Sequence, residues 1–208
     1  MTAEYYQNKS EDLLVRVPIP ESTGVYPGDS PIVNGASIKN SGIEFTAGYR
    51  ETFGELTVNV NANVSTLKNE VLSLGYGDNP IYSGTSRTAV GTEVGELYGY
   101  IVEGIFQTPA EIASLNAASP IGRYQESSTA PGDYKFKDLN GRDANGKLTG
   151  SPDGKIDDDD RTYLGSAIPK VYFGVNVSLG YKNFDFSTSL NGVSGNKIFN
   201  SIQQGIEG

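Results

Sequence analysis

Hydrophobic and polar residues alternate along two parts of the chain, and each part is interrupted once by a short turn. The four alternating runs lie at residues 43–50, 56–65, 171–181 and 184–191, with turns at 52–55 and 182–183. A period of two places every second side chain on the same face of a β-strand. The pattern therefore predicts two hairpins, each made of two antiparallel strands of about ten residues with one apolar face.

An apolar face of this kind suits either of two environments. In a soluble sandwich it packs against a core, whereas in a transmembrane barrel it contacts lipid. The length of the runs favours a tilted membrane crossing, and Tyr181 and Phe184 flank the second turn as interfacial aromatic residues do. The alternative is a secreted, calcium-stabilised β module that binds a glycan or a protein.

The connections differ greatly in length, which divides the chain into three predicted regions. These are barrel strands and turns at 1–75, a long extracellular loop block at 76–168, and a truncated barrel hairpin at 169–208. Within the block, residues 97–106 are predicted to form a strand and residues 108–116 a helical turn. Thr108 is the predicted N-cap of that turn because Pro109 and Glu111 follow it. The fold class is therefore all-β and antiparallel, with five or six barrel strands.

Composition narrows the chemistry that the 208 residues can carry. The chain has no Cys and no His, which excludes disulfides, Cys-based zinc sites and His-assisted nucleophiles. The net charge of −9 argues against nucleic acid as a partner. No two carboxylates mark a glycosidase pair, so the chain is predicted not to be an enzyme. The N-terminus lacks the pattern of a signal peptide, and no apolar run approaches the roughly 20 residues of a membrane-spanning helix.

An acidic stretch near the end of the loop block carries oxygen ligands at calcium-loop spacing. Asp138 and Asn140 supply the first and third positions, and the frame then resumes after an insertion at residues 142–152. The later positions fall on Asp153, on the backbone carbonyl of Lys155, and on Asp157 and Asp160. The spacing predicts Ca²⁺ as the bound ion, with Asp143 and Asn145 as substitute ligands. A solvated acidic turn that holds no ion explains the same residues, and both interpretations stand.

Several runs resemble a known family in combination. They are GELYGYIVEGIFQT at 95–108, PGDYKFKDLNG at 131–141, DGKIDDDDRT at 153–162, GSAIPK at 165–170 and NGVSGN at 191–196, with upstream matches at YY 5–6, DLL 12–14, PIP 18–20, NGA 34–36 and NEVLSL 69–74. Together they resemble SusC/RagA-type TonB-dependent outer-membrane transporters, and the resemblance covers nearly all of the chain.

The resemblance implies a plugged barrel of the 22-stranded class that imports oligosaccharides or peptides across the bacterial outer membrane. It also implies a SusD-like surface lipoprotein as partner, energy from the TonB complex, and outer-membrane lipid around the strands. The chain contains neither a plug nor a closing strand, so it is expected to be a late part of such a barrel. The missing signal peptide is then expected to reflect truncation, and the open strand edges are expected to promote aggregation.

Overall fold

A computed structural model describes residues 1–16 and 31–202 of the chain. The chain divides into two compact units, one formed by Met1–Glu96 with Gly165–Gly208 and the other by Leu97–Leu164. The motif at residues 18–20 lies outside the described residues. No helix in the described part of the chain is long and apolar enough to cross a membrane.

The described residues form one α-helix, two short 3-10 helices (Tyr76–Asp78 and Asp158–Asp160) and strands of very different lengths. They are β1 (Thr2–Arg16), β2 (Ile32–Phe53), β3 (Leu56–Thr66), β4 (Lys68–Leu74), β5 (Ile81–Ser83), β6 (Ser86–Thr88), β7 (Glu96–Gly99), β8 (Val102–Ile105), α1 (Pro109–Ala118), β9 (Tyr134–Phe136), β10 (Thr162–Gly165), β11 (Val171–Tyr181) and β12 (Phe184–Ser194). The largest sheet has six antiparallel strands in the order β1-β2-β3-β11-β12, with β4 also pairing with β2. The predicted all-β antiparallel class, with five or six long strands, is confirmed.

Both predicted hairpins form, and each turns through one residue with positive φ. Gly54 has φ 62° in the turn that joins β2 and β3, and Lys182 has φ 54° in the turn that joins β11 and β12. The strands pair without interruption from these turns, beginning at Phe53↔Leu56 and at Tyr181↔Phe184. Strand β2 begins at Ile32, well before the alternating run that predicted it.

The register sorts apolar and polar side chains onto opposite faces of the large sheet. One transverse row contains Ala47, Ala62, Val175 and Leu190, and the adjacent row contains Gly48, Asn61, Asn176 and Ser189. Because neighbouring residues of a strand point to opposite faces, the two rows belong to different faces. Leu190 is 62% exposed and Phe184 is 78% exposed. The apolar face of this unit therefore carries large side chains that the unit itself does not bury.

The first unit has a small buried cluster at the end of the sheet where β2 pairs with β4. Ala36, Val71 and Leu74 are buried there. The backbone of Val71 bonds to Thr92 and Gly91 at 2.8 Å each, and the Asn69 side chain accepts from Val94 N at 2.9 Å. These bonds tie residues 76–96, which include the β5–β6 hairpin, to the strands. The compact loop unit is therefore shorter than the predicted block at 76–168.

The second unit holds the helix and short strands. The strand predicted at 97–106 is divided into β7 and β8, because Tyr100 stacks on Phe136 (ring centroids 5.0 Å apart) and the Ile101 carbonyl accepts from Lys137 N at 2.9 Å. The predicted helical turn is present as α1 and runs two residues further than expected. Its N-cap is Thr108, whose hydroxyl oxygen accepts from Glu111 N at 3.2 Å.

Candidate functional site

The insertion in the acidic loop folds as a small hairpin of its own. Asp143 N donates to the Lys147 carbonyl at 2.9 Å, and Arg142 pairs with Leu148 as an antiparallel bridge. The Asp143 carboxylate accepts from Asn145 N at 2.8 Å and from Lys147 N at 2.9 Å. Asp143 therefore stabilises the turn of this hairpin. Its bonds do not connect it to the flanking aspartates.

The two halves of the ligand frame meet across the base of the hairpin. The Asp138 carboxylate accepts from Asp153 N at 3.2 Å and from Gly154 N at 2.7 Å. Gly141 also packs against Asp153, because a Cβ added at Gly141 would lie 2.4 Å from the Asp153 Cβ. The structure therefore brings Asp138 and Asp153 together, although 14 residues separate them in the chain.

Asp160 lies beneath the loop and is completely buried. One carboxylate oxygen accepts from Leu139 N at 2.8 Å and from Asn140 N at 3.0 Å, and the other accepts from Asp157 N at 2.8 Å. Asp157 is the N-cap of the 3-10 helix Asp158–Asp160, where its carboxylate accepts from Asp159 N at 2.8 Å and forms a capping box with Asp160. Three backbone donors thus satisfy the buried charge of Asp160.

Two basic side chains pair with Asp153 and Asp157 of the frame and with the neighbouring Asp159. The Lys155 ammonium bonds to the Asp157 carboxylate and lies 3.4 Å from Asp153 Oδ2. Arg142 donates from Nε and Nη2 to the two oxygens of Asp159, each at 2.5 Å. The hydrogen bond from Lys155 lowers the pKa of Asp157, and the same bond raises the pKa of Lys155. Burial raises the pKa of Asp138, against the effect of the two backbone donors.

The side chains of the predicted calcium ligands do not converge on one point. Asn140 Oδ1 accepts from Gly150 N at 2.6 Å, Asp160 bonds to backbone amides, and Asp153 and Asp157 share the Lys155 ammonium. Across residues 1–16 and 31–202, no group of three or more acidic side chains is placed to hold a metal ion. A calcium ion takes about six to eight oxygens, so this arrangement does not fit it. Calcium binding stays a prediction.

Sequence reasoning missed two residues that organise this loop. Tyr124 is buried, and its hydroxyl donates to the Phe136 carbonyl at 3.1 Å while its own carbonyl accepts from Ile156 N at 2.6 Å. Burial and the nearby Asp138 charge raise its pKa. Arg142 opens the insertion, and its positive charge in a segment rich in aspartates was the available signal. Such a signal identifies opposite charges but not which of them will pair.

Comparison with proteins of known sequence gives a consistent set of relatives. The chain is 32% identical to TonB-dependent receptor P26 of Formosa agariphila over 207 residues, which is 94% of this chain and 18% of the relative. It is 30% identical to TonB-dependent receptor P3 of the same organism over 213 residues, covering 96% of this chain and 19% of the relative. The chain therefore spans about a fifth of the length of these relatives. No family model matches it.

Solved structures give the same fold. The RagAB peptide importer in its closed-closed state superimposes with a TM-score of 0.65 at 18% identity, covering 93% of this chain and 19% of the matched chain. Its open-open state gives 0.63 at 17% identity, covering 93% and 18%. Nearly all of this chain thus has the fold of part of a much longer chain.

Proposed function

Because the chain belongs to the TonB-dependent receptors, we propose that it forms part of an outer-membrane importer that draws its energy from the TonB complex. The observation that carries this proposal is the two-faced sheet. Its exposed apolar face suits lipid, and its opposite face of Asn, Ser, Thr and Gly suits a polar barrel interior. The family relationship supports the same assignment. The relatives are receptors, which confirms the prediction that the chain is not an enzyme.

The ends of the hairpins support an orientation in the membrane. Tyr181 is 50% exposed and Phe53 57%, and both lie beside the short turns. The Lys182 ammonium lies 5.4 Å from the centre of the Tyr181 ring and 3.2 Å from Glu55. Aromatic and charged side chains at strand ends are typical of a membrane interface. We place these turns on the periplasmic side and the long connection between β4 and β11 on the extracellular side.

The proposed substrate is an oligomeric nutrient, either a glycan or a peptide, and the proposed partner is a SusD-like surface lipoprotein. The resemblance of the sequence motifs to SusC/RagA-type transporters supports both. The structural neighbours are described as a peptide importer, which adds support for a peptide. The chain itself has no residue pattern that distinguishes the two substrates.

Purification of the full-length receptor from its own membranes tests this function. We expect the protein in the outer-membrane fraction, soluble only with detergent and accompanied by a lipid-modified partner. Deleting the gene for the receptor or for TonB should abolish uptake of the substrate. Growth of the deletion strains on a peptide or on a glycan as the nutrient source identifies which of the two is imported. A monodisperse protein in the soluble fraction would contradict the proposal and favour a secreted β module.

A further inference from the structure

The segment from Asp138 to Asp160 has a large imbalance of charge. It contains seven aspartates and three basic residues, Arg142, Lys147 and Lys155. Like charges this close repel one another unless donors or cations neutralise them. The contacts of each carboxylate therefore indicate what holds the segment together.

Backbone amides engage the aspartates at the base of the segment. Asp160 accepts three backbone hydrogen bonds and Asp138 accepts two. Asp143 accepts two more inside the insertion hairpin. Each of these hydrogen bonds has a charged acceptor and is therefore stronger than a bond between neutral groups. These three aspartates need no cation.

Lys155 lies between two carboxylates of the predicted ligand frame. Its ammonium contacts Asp157 and lies 3.4 Å from Asp153, so one positive charge serves two carboxylates. The Lys155 side chain is only 26% exposed, which limits solvent screening of the pair. Lys155 therefore provides the charge that an ion would otherwise supply between these two ligands.

Arg142, which lies in the insertion, neutralises Asp159. The Nε and Nη2 groups of its guanidinium donate to both oxygens of Asp159. Its Nη1 donates to the Gly146 carbonyl at 2.8 Å, and this bond holds the guanidinium against the hairpin. A planar guanidinium in a two-point contact loses less freedom per bond than a single-point lysine contact. Asp158 is 83% exposed and pairs with Arg161 at 3.1 Å. All seven carboxylates therefore have protein partners.

We propose that this segment is ordered by its own cations, with Lys155 and the insertion residue Arg142 in place of a calcium ion. The insertion is then the element that makes the loop independent of metal, because it delivers the guanidinium to the aspartate run. This inference rests on the contacts of the loop alone and holds whichever substrate the importer carries.

Hydrogen exchange across residues 138–160 of the detergent-purified receptor tests the proposal. We expect the same protection in EDTA and in millimolar Ca²⁺, and no binding heat when Ca²⁺ is titrated. Lys155→Met and Arg142→Gln should each raise exchange in this segment about fivefold, which corresponds to about 1 kcal/mol for one ion pair. Lys147→Met is the matched control, since Lys147 lies on the exposed part of the same hairpin, and should change exchange little.

Two outcomes would overturn the proposal. One is wild-type protection that rises with Ca²⁺ and falls in EDTA, which would establish a metal site. The other is exchange in Lys155→Met and Arg142→Gln that equals that of Lys147→Met. Protection of the strand residues 171–194 in the same data shows whether each variant is folded, so a general loss of structure is distinguished from a local one.

Discussion

At the scale of single residues, a buried carboxylate can stabilise a loop through backbone amides alone. Asp160 is fully buried and joins the two ends of the acidic segment by accepting from residues on both sides of the insertion. A serine or asparagine could not replace it fully, because three converging N–H groups require an acceptor without donors of its own. Asp160, the last of the four consecutive aspartates, is therefore required by the backbone N–H groups that donate to it.

Replacing Asp160 with asparagine should therefore destabilise the Leu97–Leu164 unit. The amide would turn one N–H group toward a backbone donor and remove the negative charge, so we expect a loss of about 2–4 kcal/mol. Hydrogen exchange of the unit in the purified receptor measures this change. Asp158→Asn, two residues away and largely exposed, should cost less than about 0.5 kcal/mol. Equal effects of the two substitutions would contradict the structural role given to Asp160.

The sequence predicted part of this loop and missed the rest for a physical reason. The spacing of Asp138, Asn140 and Asp153 indicated one loop interrupted by an insertion, and Asp138 accepts from the backbone of Asp153 across it. Spacing could not show that Asp160 turns toward backbone amides, or that the Lys155 side chain bonds to the aspartates beside it. Those choices depend on side-chain directions in the folded loop, and a residue type alone does not fix them.

At the scale of elements, the long strand β2 changes partner along one edge. It pairs with β3 from Glu44 to Phe53 and with β4 from Ala36 to Ser41. Gly42 lies at the changeover, where the Thr66 carbonyl approaches the position of a Cβ to 1.9 Å. The Thr66 hydroxyl also accepts from Ile43 N at 3.0 Å. The bend between β3 and β4 thus requires the absence of a side chain on β2.

Gly42→Ala should therefore be damaging although it adds only one methyl group. The obstructing atom is backbone, so the strands must separate, and we expect a cost of about 1–3 kcal/mol. Thermal unfolding of the receptor in detergent, followed by circular dichroism, measures it. Gly48→Ala is the matched control in the same strand, because its close neighbour is the end of the Asn61 side chain, which can rotate away, rather than backbone. A greater loss in the control would refute the assigned changeover.

Alternation predicted the strands best where it was long and unbroken. The hairpins at 43–65 and 171–191 appear at the expected places, since a one-residue slip would move every apolar side chain to the other face. The run at 97–106 divides because Tyr100 stacks on Phe136, a contact made 36 residues away in the sequence. A local pattern carries no information about such a partner.

At the scale of the whole molecule, the proposed membrane location rests on the large sheet. Its apolar rows carry exposed aromatic and aliphatic side chains, and its polar rows are made mostly of Asn, Ser, Thr and Gly. Alternation in the sequence could not distinguish lipid from a protein core as the environment of the apolar face. The family relationship favours lipid. A measurement of the environment of single residues on β12 distinguishes lipid from a protein core.

Spin labels on neighbouring residues of β12 test this claim most directly. The chain contains no cysteine, so Leu190→Cys and Ser189→Cys add one labelling site each to it. With the receptor in bilayers, we predict that a label at 190 collides with oxygen dissolved in lipid and is shielded from a water-soluble nickel complex, whereas a label at 189 is shielded from lipid oxygen. A label at 190 that meets the nickel complex, or that neither reagent reaches, would contradict a lipid-facing sheet.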